Sequence, residues 1–342
     1  VKPFSYVRPA DTRAAITAAG APGASFLAGG TTLIDLMRLE VMAPSALVDL
    51  GQLPLASIDR AGDGVRIGAM ARNTDVAIHP LITARYPVLA QALLAGASQQ
   101  VRNMATVGGN LVQRTRCPYF RDPATPCNKR EPGAGCAALE GYTRSHAVLG
   151  TSASCIATHP SDMCVALAAL DAVIHTRHAG RDRAIPFAEF HTLPGDRPEV
   201  ENALAQGELI THIELPATPF ARHARYVKVR DRAAFAFALA SAAVGLDVAD
   251  GKIRAARIAL GGVATRPWRA LDAEQALIGQ PPSRASFERA AAAALADAVP
   301  HRDNAFKIPL AQRTIVRALE LAWGAPVGAT GATTGATPGG AR

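Results

Sequence analysis

Phe26-Leu27-Ala28-Gly29-Gly30-Thr31-Thr32-Leu33 is a short apolar run broken by two glycines and a threonine pair. Val101-Arg102-Asn103-Met104-Ala105-Thr106-Val107-Gly108-Gly109-Asn110-Leu111 repeats the glycine pair about 80 residues later. In the first stretch Ser25 to Ala28 reads as a buried strand, and Thr31 as the cap of a helix from Thr32 to Met37. Glycines at such a junction let the backbone approach a ligand, and the free N–H groups of a helix start favour a phosphate. Neither stretch matches the G-x-G-x-x-G fingerprint or the P-loop. A single Gly-Gly turn is weak evidence; two that could grip one pyrophosphate from opposite sides suggest more.

Outward from these loops, the N-terminal third reads as short α/β units. Ala10 to Ala19 is a helix, Ala46 to Leu50 a strand, and Gly62-Asp63-Gly64 a turn before a strand ending at Ala69. Leu81 to Ala97 is helical, with Pro80 and Pro87 marking breaks. From Thr115 to Thr151 prolines and glycines dissolve the regular pattern, and loops that long are rare unless they do something. An apolar helix, Asp162 to Val173, and an alternating strand, Thr211 to Pro216, close the first region. A second region begins near Arg222, with strands at Arg222–Val229, Ala238–Val248 and Ile253–Ala259. A hairpin turn lies at Ala249-Asp250-Gly251, and Ala-rich helices follow at Ser283–Ala298 and Leu310–Ala322. Gly-Ala-Thr repeats after Trp323 predict a disordered tail over 325–342.

The chain has 342 residues, enough for about two domains. At 49% hydrophobic and 19% charged it suits a full-sized core and excludes general disorder. The longest apolar run, Ala233 to Leu246, is interrupted by Ser241 and falls short of the ~18 residues of a membrane span. The net charge is +8, but the basic residues are mostly scattered Arg with no aromatic-interleaved stripe. That argues against nucleic acid and for an acidic partner surface or an anionic cofactor. Val1-Lys2-Pro3-Phe4 lacks an apolar h-region, so export on a Sec signal of its own is not expected.

There are five cysteines, and Cys117, Cys127, Cys136 and Cys155 span the irregular stretch at spacings of 10, 9 and 19. Flexible Pro- and Gly-rich backbone can converge four thiolates on one iron–sulfur cluster or one structural zinc. Disulfides are the alternative in an oxidising compartment. Cys164 falls within the apolar helix, as an inert buried thiol would. From Val101 to Gly150 seven basic residues face three acidic ones. This surplus would offset an anionic cluster or meet an acidic partner. The nine histidines include no H-E-x-x-H spacing, and His146 reads as structural. No G-x-S-x-G or molybdopterin signature is visible.

The two glycine stretches together resemble the FAD-binding subunit of molybdenum hydroxylases, the group of xanthine dehydrogenase, aldehyde oxidase and carbon monoxide dehydrogenase. His159-Pro160-Ser161-Asp162, Gly261-Gly262-Val263-Ala264-Thr265-Arg266-Pro267 and Asn304-Ala305-Phe306-Lys307-Ile308 extend the resemblance from residue 3 to about 323. It implies an α+β chain. Residues 1–218 would be a two-subdomain FAD-binding fold of the vanillyl-alcohol-oxidase type, and 222–324 an antiparallel sheet with helices. Leu27, Ala28, Gly29, Gly30, Thr31, Thr32 and Leu33 would wrap the pyrophosphate, with Ala105, Thr106, Gly109 and Asn110 as the facing wall. Asp162 would bind ribityl or adenosine hydroxyls. Ile210 would pack on the flavin, and Lys228 would bring a positive charge to it; without the resemblance Lys228 reads as a solvated strand residue.

The insert after the second glycine stretch resembles a subgroup, including bacterial periplasmic-type aldehyde oxidoreductases, that carries an extra [4Fe–4S] cluster. Its ligands here would be Cys117, Cys127, Cys136 and Cys155. The implied role is electron transfer in a heterotrimer. A large molybdenum-cofactor partner would oxidise an aldehyde, a small partner would carry two [2Fe–2S] clusters, and an external acceptor would take the electrons. The implied location is the periplasm, as a folded complex exported on a partner's signal, or else the cytoplasm. A stand-alone flavin oxidase and a zinc-stapled assembly subunit are the alternatives.

Overall fold

Each stretch of the chain builds a sheet of its own in the computed structural model, which describes residues 1–324. The tail expected over 325–342 lies outside the described residues. Strands β1 (Ser5–Val7), β2 (Ala24–Leu27) and β3 (Ala46–Asp49) form a parallel sheet with β3 in the middle. Parallel neighbours need crossovers, and helices Thr12–Ala19 and Leu33–Arg38 supply them. Asp11 starts the first, its carboxylate accepting the Ala14 N–H at 2.8 Å.

Strands β4 (Ile58–Ala61), β5 (Gly64–Gly68), β6 (Val173–His178), β7 (Arg181–Pro186) and β8 (Leu209–Leu215) form an antiparallel sheet in the order β4-β5-β8-β6-β7. Alternation decides its faces. Val65, Ile67, Ile174, Ile213 and Leu215 are buried in one core with helices Asn73–Ile78, Pro87–Ala95 and Asp162–Ala169, while Arg66, His175, His212 and Glu214 look outward.

Strands β9 (Ala224–Val229), β10 (Ala240–Ala249), β11 (Lys252–Gly261) and β12 (Trp268–Arg269) form the antiparallel sheet of the C-terminal domain, in the order β12-β11-β10-β9. This sheet is covered on both faces. Ala243, Ala259 and Tyr226 join the first core, whereas Ala242, Val244, Ile258 and Leu260 pack with helices Leu271–Leu277, Arg284–Ala294 and Lys307–Gly324. Two-sided burial explains why this segment reads as a continuous apolar run, and its alanines let helices approach closely. A polar seam ties the domains. Asn304 Nδ2 donates to the carbonyls of His146 and Ala147 at 3.3 and 3.1 Å. Buried Lys307 donates to those of Ser145 and Gly262 at 3.0 and 2.6 Å. Among the described residues no helix is long and apolar enough to cross a membrane.

The expected helix to Val173 stops at Ala169, because Asp171 adopts φ 51° and reverses the chain, so Val173 instead opens β6. The hairpin β6–β7 was not expected; it turns on Ala179 and Gly180 at φ 48° and 78°, the sterically demanding pair of a type I′ turn. The helix Leu271–Leu277 was not expected either.

Candidate functional site

The two glycine loops touch. A Cβ on Gly29 would lie 2.0 Å from the Met104 carbonyl oxygen and 3.1 Å from Ala105 Cα, so only glycine allows this approach. The second loop is held from behind. Arg102 Nη1 donates to the carbonyls of Gly96 and Ala97 at 2.7 and 3.1 Å. Thr74 Oγ1 donates to Asn103 Oδ1 at 2.6 Å, and Arg72 Nη1 to the Asn103 and Met104 carbonyls at 2.9 and 3.2 Å. Thr106 then starts the helix Val107–Leu111, its hydroxyl accepting the Gly109 N–H at 3.2 Å. In the first loop the helix begins one residue later than expected. Thr32, not Thr31, stands at its cap position, and its side chain makes no cap bond.

Between the loops lies a cavity of about 400 Å³, walled by Ala28 to Leu33 on one side and by Thr106, Gly108 and Gly109 on the other, with Ile210 from β8 also lining it. A cavity of about 100 Å³ continues it, sharing Thr31, Thr32 and Gly109 and adding Ala105, Asn110 and Asp162. A third, of about 210 Å³, shares Asp162 and runs on to Cys117 and His146. Together they form a trench. Of the expected flavin contacts, Leu27 and Lys228 do not line it.

Lys228 is neither solvated nor free. Its Nζ donates to Asp162 Oδ2 at 2.7 Å and to the Ala95 carbonyl at 3.1 Å, with the two side chains 3% and 8% exposed. The Tyr226 hydroxyl donates to Asp162 Oδ1. Burial and that carboxylate hold the Tyr226 phenol well above its usual pKa, so it stays a donor. Both Asp162 oxygens are thus engaged, and only their remaining lone pairs face the trench. Asn110 is oriented similarly. Its Oδ1 accepts from Ser161 Oγ at 2.7 Å and from Gln113 Nε2, which leaves its amide N–H groups as the donors on offer.

Cys117, Cys127, Cys136 and Cys155 line one small pocket, with Lys129 and Phe120. None is in a disulfide. Cys127 and Cys136 face each other across an antiparallel bridge, tied by Asn128 N–H to the Gly135 carbonyl at 2.6 Å and Gly135 N–H to Asn128 Oδ1 at 2.7 Å. Asn128 Nδ2 reaches the Ser154 carbonyl at 3.1 Å, anchoring the loop beside Cys155. Burial pushes the Cys117 thiol up to about 12, with Cys127 and Cys155 adding to the rise, and burial also raises Cys155. Cys164 stands apart, fully buried in helix Asp162–Ala169.

His146 is the residue that sequence reading undervalued. Its Nε2 lies 3.2 Å from Cys117 Sγ, and burial, followed by Lys307, pushes its pKa down to about 4. No spacing rule points to it, because the contact spans 29 residues of loop. The basic surplus is also arranged differently from expectation. Arg116 and Arg121 share Asp35, Arg114 and Lys129 share Glu201, and Arg144 pairs with Asp231, all carboxylates from outside the counted stretch. Arg130 donates to the carbonyls of Tyr119, Phe120 and Thr125. Each shared carboxylate leaves one positive charge over, and Lys129 brings one to the thiol pocket. His159 does not enter the thiol pocket; its ring meets His191 edge to face at 4.6 Å.

Comparison with known proteins agrees with this geometry. Residues 2–218 match the family described as the FAD binding domain in molybdopterin dehydrogenase, and residues 225–322 match the CO dehydrogenase flavoprotein C-terminal domain. The chain is 50% identical to the aldehyde oxidoreductase FAD-binding subunit PaoB of Escherichia coli, over 93% of this chain and 98% of that one. It is 29% identical to the glyceraldehyde dehydrogenase medium chain of Sulfolobus acidocaldarius, over 81% and 82% of the two chains. Its fold superposes on carbon monoxide dehydrogenase from Hydrogenophaga pseudoflava with a TM-score of 0.75 and 27% identity, covering 94% of this chain and 98% of that one.

Proposed function

This chain belongs to the FAD-binding subunits of the molybdopterin dehydrogenase family, and on that premise we propose that it is the electron-transfer subunit of a heterotrimeric molybdenum aldehyde oxidoreductase. The large partner would hold the molybdenum cofactor and oxidise the aldehyde. The small partner would hold two [2Fe–2S] clusters, and an external acceptor would receive the electrons. The identity to the Escherichia coli aldehyde oxidoreductase subunit supports the substrate class. One observation supports the relay: three neighbouring cavities that share lining residues lead from the glycine loops to Cys117.

Bound FAD supplies exchange between two-electron and one-electron carriers, and a [4Fe–4S] cluster on Cys117, Cys127, Cys136 and Cys155 adds a one-electron station beside it. The chain's own part is to bind and orient. Backbone N–H groups of residues 28–33 face the pyrophosphate, and Asn110 donates from the opposite wall. Ile210 gives the ring an apolar contact. Asp162 would accept from sugar hydroxyls, and Lys228 pairs with that carboxylate from behind. The buried thiols ionise readily only when a metal replaces their protons. Among the described residues, no three of these sulfurs lie within 4.8 Å of one another.

The test is cofactor analysis of the purified complex. One FAD and about four irons per chain are expected, beyond those of the small partner. A complex without flavin overturns the relay, and zinc in place of that iron overturns the cluster.

A further inference from the structure

The outward face of the five-stranded sheet carries a cluster used by neither the trench nor the thiol pocket. His175 on β6 pairs directly with His212 on β8, and their rings stack at 4.2 Å with planes 10° apart. Glu214 lies two residues beyond His212, hence on the same face. Its Oε2 is 3.0 Å from His175 Nε2, with the two side chains 34% and 26% exposed. One ligand atom from each of the three lies within 4.8 Å of the others.

The strand register explains the meeting. His175 faces His212 while Thr176 faces Ile210, so Thr211 has no partner and forms a bulge. The Thr211 hydroxyl donates to the His175 carbonyl at 3.1 Å. Its remaining lone pairs face His212 Nδ1 at 3.0 Å, an arrangement that favours the tautomer with the proton on Nδ1. His212 Nε2 is then a bare lone pair, and it is buried without a hydrogen-bond partner. His175 Nε2 has none either, since Glu214 lies close but outside hydrogen-bond geometry.

We propose that His175, His212 and Glu214 form a site for one divalent transition-metal ion of the borderline class, with zinc as the probe. Two imidazole nitrogens and a carboxylate suit such an ion and leave a coordination position open. Thr211 is the positioning residue that fixes the tautomer. Arg66, paired with Glu214 across β5 and β8, opposes the cation, and Asp182 on β7 favours it. The ion would clamp β6 to β8 at the bulge.

The experiment uses the purified complex, treated with chelator and then dialysed against zinc sulfate, with zinc, iron and FAD counted per chain. Wild type should hold one zinc more than His212→Ala and Glu214→Gln, with iron and FAD equal in all three. Thr211→Val should weaken zinc binding by about 10- to 100-fold, while His178→Ala, at the end of β6, should change nothing. Should His212→Ala misfold and lose FAD, Glu214→Gln decides alone. Equal zinc in wild type and Glu214→Gln overturns the site, and so does an equal loss in His178→Ala, which would mark surface histidines in general.

Discussion

The flavin trench and the thiol pocket lie side by side yet are built in opposite ways. The trench is made of backbone, with two contiguous loops, each opening on a helix, pressed so close that Gly29 admits no side chain against Met104. The pocket is made of side chains on irregular chain, held by bonds such as those of Arg130 and Asn128 to distant carbonyls. Backbone sites are specified by short motifs. Side-chain sites on loops are specified by many weak constraints scattered along the sequence, and they should fail separately.

The sharpest separation comes from Cys127→Ser. It should remove about four irons per chain and leave FAD in place, while Cys164→Ser should keep both, as read by iron and flavin analysis. Loss of flavin along with the iron would mean that the two regions are one unit. The reverse break is Gly109→Val. A Cβ there meets only Thr106 Oγ1 at 3.1 Å, so the new side chain enters the trench rather than the core. FAD binding should fall at least about tenfold, a loss of 1.4 kcal/mol or more, with iron retained. Undiminished flavin would remove the loop from the pyrophosphate site.

Smaller changes sharpen the picture. Arg130→Ala strips charged donors from the Tyr119, Phe120 and Thr125 carbonyls and should cost about 2–3 kcal/mol. It should also speed iron release to a chelator without affecting FAD; an unchanged release rate would show that the loop does not need this clasp. The last test uses pH. Burial, then Arg144, pushes Lys307 down to about 7, against 10.5 for an unperturbed lysine. Between those values the unfolded chain binds the proton that the folded chain has shed, so stability from this residue rises with pH across that window. Lys307→Met should flatten the rise in denaturant midpoint from pH 7 to 10, and an identical slope would place the titration elsewhere.

Legibility in the sequence followed the same division. The glycine loops were read nearly in place, since strand, glycines and cap are neighbours in the chain. The four thiols could be grouped because cysteines are rare and the irregular stretch stood out. Lys228 does lie in a strand, but it reads as solvated because its partner Asp162 is 66 residues away and burial is invisible in one sequence. His146 was passed over for the same reason. The hairpin β6–β7 was missed because Ala179 masks a turn that asparagine would have announced, and because the apolar helix before it blurs into Val173. The C-terminal strands were found from their apolar runs and from Asp250-Gly251.

The seam from Asn304 and Lys307 to Ser145, His146 and Ala147 has a consequence in time. A chain is made from its N-terminus, so all four cysteines leave the ribosome some 150 residues before the side chains that fix the end of their loop. During that interval the loop has its own clasps from Arg130 and Asn128 but lacks the seam. The seam forms only once Asn304 and Lys307 have been made, so a metal held by these thiols would be locked in from the C-terminal side late in synthesis. A chain stopped before Asn304 would release a thiol-bearing loop that lacks this seam.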